Sequence, residues 1–334
     1  MKPVSLCEVC MKGKQQVKVS NRNASFRFEL NRNITILCGD SGTGKTTLYR
    51  MIADHTRLGE ASGVNLQSSK PCVALVDLDW RHQLQGISDS IVFIDEGMQD
   101  IFTHDFAQTV KNSDNYYVII TREALYELPY SVDEIYELKT SGKMHTFKKH
   151  YPARKFHRYT AAQRGEDKFH IVLTEDAHSG YQFFEQFFRE TDVQCVFAGS
   201  NSNIYPWLTA HPNEPVLVIA DGAAFGAEMG RVMKHCDREY SVHQLCLPES
   251  FEWLVLASGL IKADRLEDVL KNTSEYVESS EYFSWENFFT AYLIAQTNRT
   301  PFQYQKTKLN PVYLQPANRE RIAAEILREK KKKE

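Results

Sequence analysis

A chain of 334 residues that is 42% hydrophobic and 12% aromatic has material for packed cores and room for two domains of ordinary size. Its 40 Lys and Arg nearly balance 43 Asp and Glu, so no single-sign field declares a nucleic-acid or membrane partner, and any such partner must be met by a local patch. No apolar run approaches a membrane span, segment 1–10 has no secretion-signal core, and the 7 cysteines are odd in number and scattered, so a cytoplasmic protein with reduced thiols and no membrane partner is expected. Cys7 and Cys10 form a C-x-x-C, but no second pair at zinc-ribbon spacing follows. Plain strand or loop cysteines are therefore expected there rather than a metal or redox pair.

Val17, Val19, Phe26, Phe28 and Leu30 alternate with polar residues around Asn21-Arg22-Asn23, which predicts a β-hairpin turning at the Asn-rich tip. Directly after it, Ile34, Ile36 and Leu37 form a buried strand, Gly39-Asp40-Ser41-Gly42-Thr43-Gly44-Lys45-Thr46-Thr47 a glycine loop, and Leu48, Met51 and Ile52 the apolar face of a helix. The loop fills the pattern G-x-x-x-x-G-K-[ST] of a P-loop, in which backbone N–H groups and a helix N-terminus face phosphate oxygens. Glycines admit positive φ and close approach to an anion, Lys45 can reach the β and γ phosphates, and the Thr46 hydroxyl can hold Mg²⁺. Gly39 to Thr47, together with Asp95, are the candidate nucleotide contacts.

Three short apolar runs follow, Cys72 to Val76, Ile91 to Ile94 and Tyr117 to Ile120, each with the look of a parallel strand buried on both faces. Ligands in such sheets bind where strands end, which singles out Asp77, Asp95, Glu96, Thr121 and Arg122. Ile91-Val92-Phe93-Ile94-Asp95-Glu96 looks like a Walker B motif, with Asp95 on Mg²⁺ and Glu96 as the catalytic residue that orients or deprotonates the attacking water. Tyr117 to Arg122 resembles the strand and switch position of ATP-binding-cassette ATPases, with Arg122 where a histidine usually stands. Arg122 could contact a γ-phosphate, or it could pair with Asp95 or Glu96. A strand over Glu134 to Leu138 is expected to close the sheet. The hairpin ahead of the loop also fits the cassette order, but the L-S-G-G-Q signature is absent between the two Walker motifs, so hydrolysis is expected to be slow or partner-dependent.

Lys143 to Lys168 interleaves Lys148, Lys149, Arg154, Lys155, Arg158 and Arg164 with Tyr151, Phe156 and Tyr159, the composition of either a solvated linker or a surface for nucleic acid. Four further strands are expected over Phe169 to Leu173, Val193 to Ala198, Pro215 to Ala220 and Val242 to Leu247, with a Phe-rich helix from Tyr181 to Phe188. Helices are expected over Phe251 to Leu260, Arg265 to Lys271 and Trp285 to Gln296, the last packing against the second sheet. Glu175 follows the first of these strands, Asp221 to Gly226 the third, and Glu249 and Glu252 the fourth.

This order resembles the Toprim domain of topoisomerases, primases and the overcoming-lysogenization-defect (OLD) nucleases, several of which act in bacterial defence against phage or mobile elements. The resemblance implies metal ligation at Glu175, Asp221, Glu249 and Glu252, with Glu175 catalytic, because Mg²⁺ takes oxygen ligands and bridges a scissile phosphate. Ala223 stands where the second Asp of D-x-D belongs, and Glu228 is a candidate substitute. Lys306 or Lys308 could stabilise a leaving oxygen, or be an ordinary surface lysine. Lys330 to Lys333 suits the negative end of a final helix.

The expected architecture is α/β: a P-loop NTPase parallel-sheet domain at 1–145, a basic linker at 146–167, and a Toprim-like, Rossmann-like domain with helical C-terminal extension at 168–334. The expected activity is ATP hydrolysis that gates a metal-dependent nuclease. The alternative is an ATP-dependent regulatory, sensor or assembly protein with an inactive second domain, and a small-molecule kinase is a third reading. The absence of N-K-x-D mildly favours ATP over GTP. Implied partners are ATP, Mg²⁺, Mn²⁺ at the second domain, DNA or RNA, and a second copy or partner protein.

Overall fold

A computed structural model describes residues 11–76, 79–151, 169–237 and 241–327. The C-x-x-C cysteines, Asp77, the connector residues from Arg154 to Arg164 and the terminal lysine run lie outside them. The chain is a mixed α/β protein that divides into two compact units. The first comprises Met1–Tyr130, Glu134–His150 and Asn272–Phe283; the second comprises Ser131–Asp133, Tyr151–Lys271 and Ser284–Glu334.

In the first unit, β1 (Gln15–Ser20) and β2 (Ser25–Leu30) pair antiparallel with Val17 opposite Phe28 and Val19 opposite Phe26, so the alternating apolar residues share one buried face. Asn21 Oδ1 accepts from the N–H of Asn23 and Ala24 at 2.8 and 2.9 Å, which sets the turn. The following strands are β3 (Ile34–Leu37), β4 (Asn65–Ser68), β5 (Cys72–Ala74), β6 (Ile91–Ile94), β7 (Tyr116–Ile120), β8 (Ile135–Ser141) and β9 (Met144–Lys149). All nine join one sheet in the order β4-β1-β2-β9-β8-β3-β7-β6-β5. The run β8, β3, β7, β6, β5 is parallel throughout, which is why β3, β6 and β7 read as unbroken apolar stretches.

The sheet does not close at β8. That strand carries an antiparallel partner, β9, which in turn pairs parallel with β2 and joins the hairpin to the parallel strands. β9 lies in the basic stretch and is half-exposed, yet Phe147 stacks on Phe28 with ring centroids 4.1 Å apart and anchors it. Helix α1 (Lys45–Leu58) covers one face of the sheet with Leu48, Met51 and Ile52, which cluster with Tyr116, Val118 and Ile120 of β7; α2 (Trp80–Gln85) and α3 (His104–Lys111) lie on the other face, where Phe106 meets Tyr117 and Trp80 stands edge-on to Phe106. Late residues return to this unit: Gly13 N–H donates to Ser274 O at 2.7 Å, Met11 N–H to Glu278 Oε1 at 2.8 Å, and Asn33 Nδ2 to Phe283 O at 3.2 Å.

The second unit is built on an all-parallel sheet of β10 (Ile171–Thr174), β11 (Gln194–Phe197), β12 (Val216–Ile219) and β13 (His243–Cys246), in the order β11-β10-β12-β13. Parallel neighbours require crossovers, and α4 (Ser179–Phe188), α5 (Asn201–Ala210) and α6 (Gly226–Cys236) supply them. Phe183, Phe184 and Phe188 bury the inner face of α4, and both Phe183 and Phe184 meet Phe251 of α7 (Phe251–Ala257). Beyond α8 (Leu266–Lys271), α9 (Trp285–Thr297) packs chiefly on α7 rather than on the sheet, and α10 (Pro316–Leu327) ends the described chain. No helix among the described residues is long and apolar enough to cross a membrane.

Candidate functional site

Two sets of strand ends carry the polar chemistry. In the first unit, Ile36, Ile119 and Ile94 are aligned across β3, β7 and β6, so the residues that follow them emerge side by side. With strands about 4.8 Å apart, the end of β6 lies about 10 Å from the end of β3. This brings together the glycine loop, Thr121-Arg122 and Asp95-Glu96.

Gly39, Gly42 and Gly44 all have φ in the left-handed region. Gly44 is the most constrained, because a Cβ there would lie 3.1 Å from the His145 ring, which itself stacks on Phe26. α1 starts at Lys45 with no side-chain cap and no acid in its first turn, so its free N–H groups and positive dipole end face outward beside exposed Thr46 and Thr47. Lys45 is only 5% exposed, and its ammonium donates to the carbonyls of Gly39 and Asp40, both at 2.7 Å. Thr43 Oγ1 donates to the same Asp40 carbonyl at 3.1 Å. The loop is thus wrapped around its own lysine.

Across the opening, Arg122 Nη2 donates to Ser41 Oγ at 2.8 Å, while its Nε lies 3.2 Å from Glu96 Oε2. Of the two roles open to Arg122 in the sequence, the structure has it paired with Glu96. Asp95 behaves differently. Its Oδ1 is buried with no hydrogen-bond partner, and burial raises its carboxyl above the usual range, with Glu96 adding to the shift while the N–H groups of Glu96 and Gly97 and the charge of Arg50 oppose it. An unpartnered carboxylate oxygen beside an anion-ready helix start fits a hard cation such as Mg²⁺.

In the second unit the ends of β10 and β12 place Glu175 and Asp221 in the wall of a cavity of about 40 Å³, with Asp176, Glu252, Tyr304 and Lys306 also lining it. Burial raises Glu175 to about 8, and the charges of Glu286 and Asp176 add to it. Asp221 is raised well above its usual range by burial first, then by Glu286, Glu175 and Glu252. Lys306 binds Glu286. Burial alone would lower the Lys306 ammonium, but Glu286, Glu252 and Asp221 outweigh it and hold the group above its usual value. Tyr304 donates its hydroxyl to Glu252 Oε1 at 2.8 Å, and Glu175 Oε2 is buried without a partner.

The site therefore gathers acids whose ionisation is disfavoured by burial and by one another, and the atoms it offers to a cation are oxygens. That chemistry fits a divalent cation, although among the described residues no group of three or more His, Cys, Asp or Glu stands ready to hold one. Glu249, a sequence candidate, is buried but outside the cavity wall. Glu228 is buried and bound to Arg231, so it does not replace the carboxylate missing at Ala223. Glu286 is the acid that sequence reasoning missed. Ser284 caps α9 through its side chain, so a helix start was readable there, but nothing in the sequence says that its first turn reaches Lys306 in the cavity wall.

Gly222 explains the tightness of the turn after β12. Its N–H donates to Pro248 O at 2.6 Å, and an added Cβ would lie 2.9 Å from the carbonyls of Leu247 and Pro248. In comparisons with known proteins, the chain matches no family model and no curated sequence.

Proposed function

We propose that this chain binds and hydrolyses ATP at a P-loop of the cassette-like kind, and that its nucleotide state controls a Toprim-like unit cutting phosphodiester bonds with a divalent cation, in the manner of OLD-type nucleases. The observation that carries the first half is the convergence of the glycine loop, Arg122, Asp95 and Glu96 on one sheet edge. Lys45 and the first-turn N–H groups of α1 would hold the phosphates. Thr46 and Asp95 Oδ1 would hold Mg²⁺, which when bound offsets charge on the phosphate oxygens. Glu96 would take the proton of the attacking water as the bond to the terminal phosphorus forms and the bond to its bridging oxygen breaks. In the second unit, Glu175 and Asp221 would hold the cation, and Lys306 would stabilise a leaving oxygen.

The test has two arms. Calorimetry with Mg²⁺ and ATP should give binding that Lys45→Ala weakens by about 100-fold, the loss of two charge-assisted hydrogen bonds. Plasmid or oligonucleotide should be cut in Mg²⁺ or Mn²⁺ by the parent and not by Asp221→Ala. No nucleotide binding overturns the first half, and no cleavage under any combination overturns the second.

Ala223, and the engagement of Glu228 by Arg231, favour a second reading: a nucleotide-driven sensor or assembly protein with an inert second unit. It predicts nucleotide-dependent assembly in light scattering without cleavage.

A further inference from the structure

Arg122 touches both sides of the candidate phosphate site. Ser41, at the exposed rim of the loop, takes one guanidinium nitrogen, and Glu96 takes another. Lys45 by contrast is buried and held by two carbonyls deeper in the loop. The side chains of Arg122 and Glu96 are 51% and 33% exposed, so water screens their pairing and it contributes little to stability. A guanidinium can meet phosphate through two parallel, charge-assisted hydrogen bonds, whereas the contact with Glu96 is an Nε–Oε2 approach at 3.2 Å. The pair is therefore easily exchanged.

We propose that Arg122 senses the terminal phosphate by exchange. Before nucleotide arrives it occupies Glu96. A triphosphate seated on the loop takes the guanidinium, and Glu96 is freed to accept a proton only when a bond is there to be cut. A diphosphate lacks the group that competes, so the Arg122–Glu96 pair persists. This rests on the reading of the glycine loop as a nucleotide site, and it makes Glu96 unavailable by default.

The experiment measures affinities of the full chain, with Mg²⁺, for a non-hydrolysable ATP analogue and for ADP. The parent should prefer the analogue. Arg122→Ala should cut that preference by about tenfold while moving ADP affinity by less than about twofold, and Arg122→Lys should restore only part of it. Glu96→Gln removes the competitor and leaves the sensor, so it should tighten analogue binding by about threefold or more, and this gain should vanish when Arg122→Ala is also present. An analogue-to-ADP ratio unchanged by Arg122→Ala overturns the proposal, as does a gain from Glu96→Gln that is equal with and without Arg122. A parent that binds neither nucleotide sinks the nucleotide-site reading itself and the proposal with it. A parent that binds both, with an unmoved ratio, sinks the proposal alone.

Discussion

The two units present the same kind of place, the C-terminal ends of parallel strands, with opposite charge. At β3, β6 and β7 the chain offers N–H groups, Lys45 and Arg122, and of its two acids Glu96 is paired while Asp95 Oδ1 is buried without a hydrogen-bond partner. At β10 and β12 it offers carboxylates that raise one another, with Lys306 as the cation among them. Parallel strand ends are a neutral platform, and the side chains placed on them decide whether an anion or a cation completes the site. On the proposed reading, phosphate completes the first edge. The second bears a cost that a bound cation would relieve.

That contrast can be broken most forcefully at the glycines. Gly222→Ala places a Cβ against two backbone carbonyls that have no slack, and should cost about 2–3 kcal/mol in urea unfolding followed by probes in the second unit. Gly44→Ala meets a side-chain ring, His145, rather than backbone, together with a left-handed φ, and should cost about 1–2 kcal/mol. Equal costs would mean that the second edge is no tighter than the first.

A smaller effect of opposite sign sharpens the point. Asp221→Asn removes one of the mutually repelling acids, so the metal-free protein should be stabilised as pH rises into the range where that carboxyl would ionise, while losing any stabilisation by Mn²⁺. Glu96→Gln, at the exposed edge, should change stability by less than about 0.5 kcal/mol. Destabilisation by Asp221→Asn would show that the carboxylate is well satisfied and that the second site has no charge deficit.

The smallest expected effect lies at the other end of the second sheet. His235 Nε2 and His243 Nδ1 are 2.9 Å apart, and His243 Nε2 meets His211 O at 3.0 Å, so His243 donates through one nitrogen and must accept through the other, which a neutral ring alone can do. Burial lowers His243 below 6.5, the His211 ring opposes protonation too, and His211 O and Glu214 favour it. The unfolded chain then takes up the proton first. Stability is complete above the unfolded value and is lost as pH falls through it. Thermal midpoints should drop from pH 7.5 to 5.5, and His243→Gln should flatten the slope; an unchanged slope would remove His243 from the account.

The sequence disclosed most where one residue type has one physical use. The strand, glycine loop and helix from Ile34 to Ile52 were legible because the turns require Gly and the strand is apolar throughout. The acids ending β6, β10 and β12 were legible because they follow such runs. β9 was not, since Met144 to Lys149 is half-exposed and carries two lysines, and its place is fixed by Phe147 on Phe28 across the sheet. Glu286 and Lys306 were illegible as a pair for a related reason. They meet through the packing of α9 and of the irregular segment after it, and no periodicity records such an encounter.

The return of Asn272–Phe283 to the first unit carries a consequence for biosynthesis. Met11, Gly13 and Asn33 receive their partners from Glu278, Ser274 and Phe283, so the first sheet cannot be fully sealed when His150 leaves the ribosome. At about 5–20 residues per second the delay is on the order of ten seconds, during which the β1–β2 end lacks part of its cover. The glycine loop is thus made early but its scaffold is finished late, after all four strands of the second sheet have been synthesised. A nascent chain would complete its first unit only after the second sheet has been translated, and shortly before Glu286, Tyr304 and Lys306 of the second site emerge.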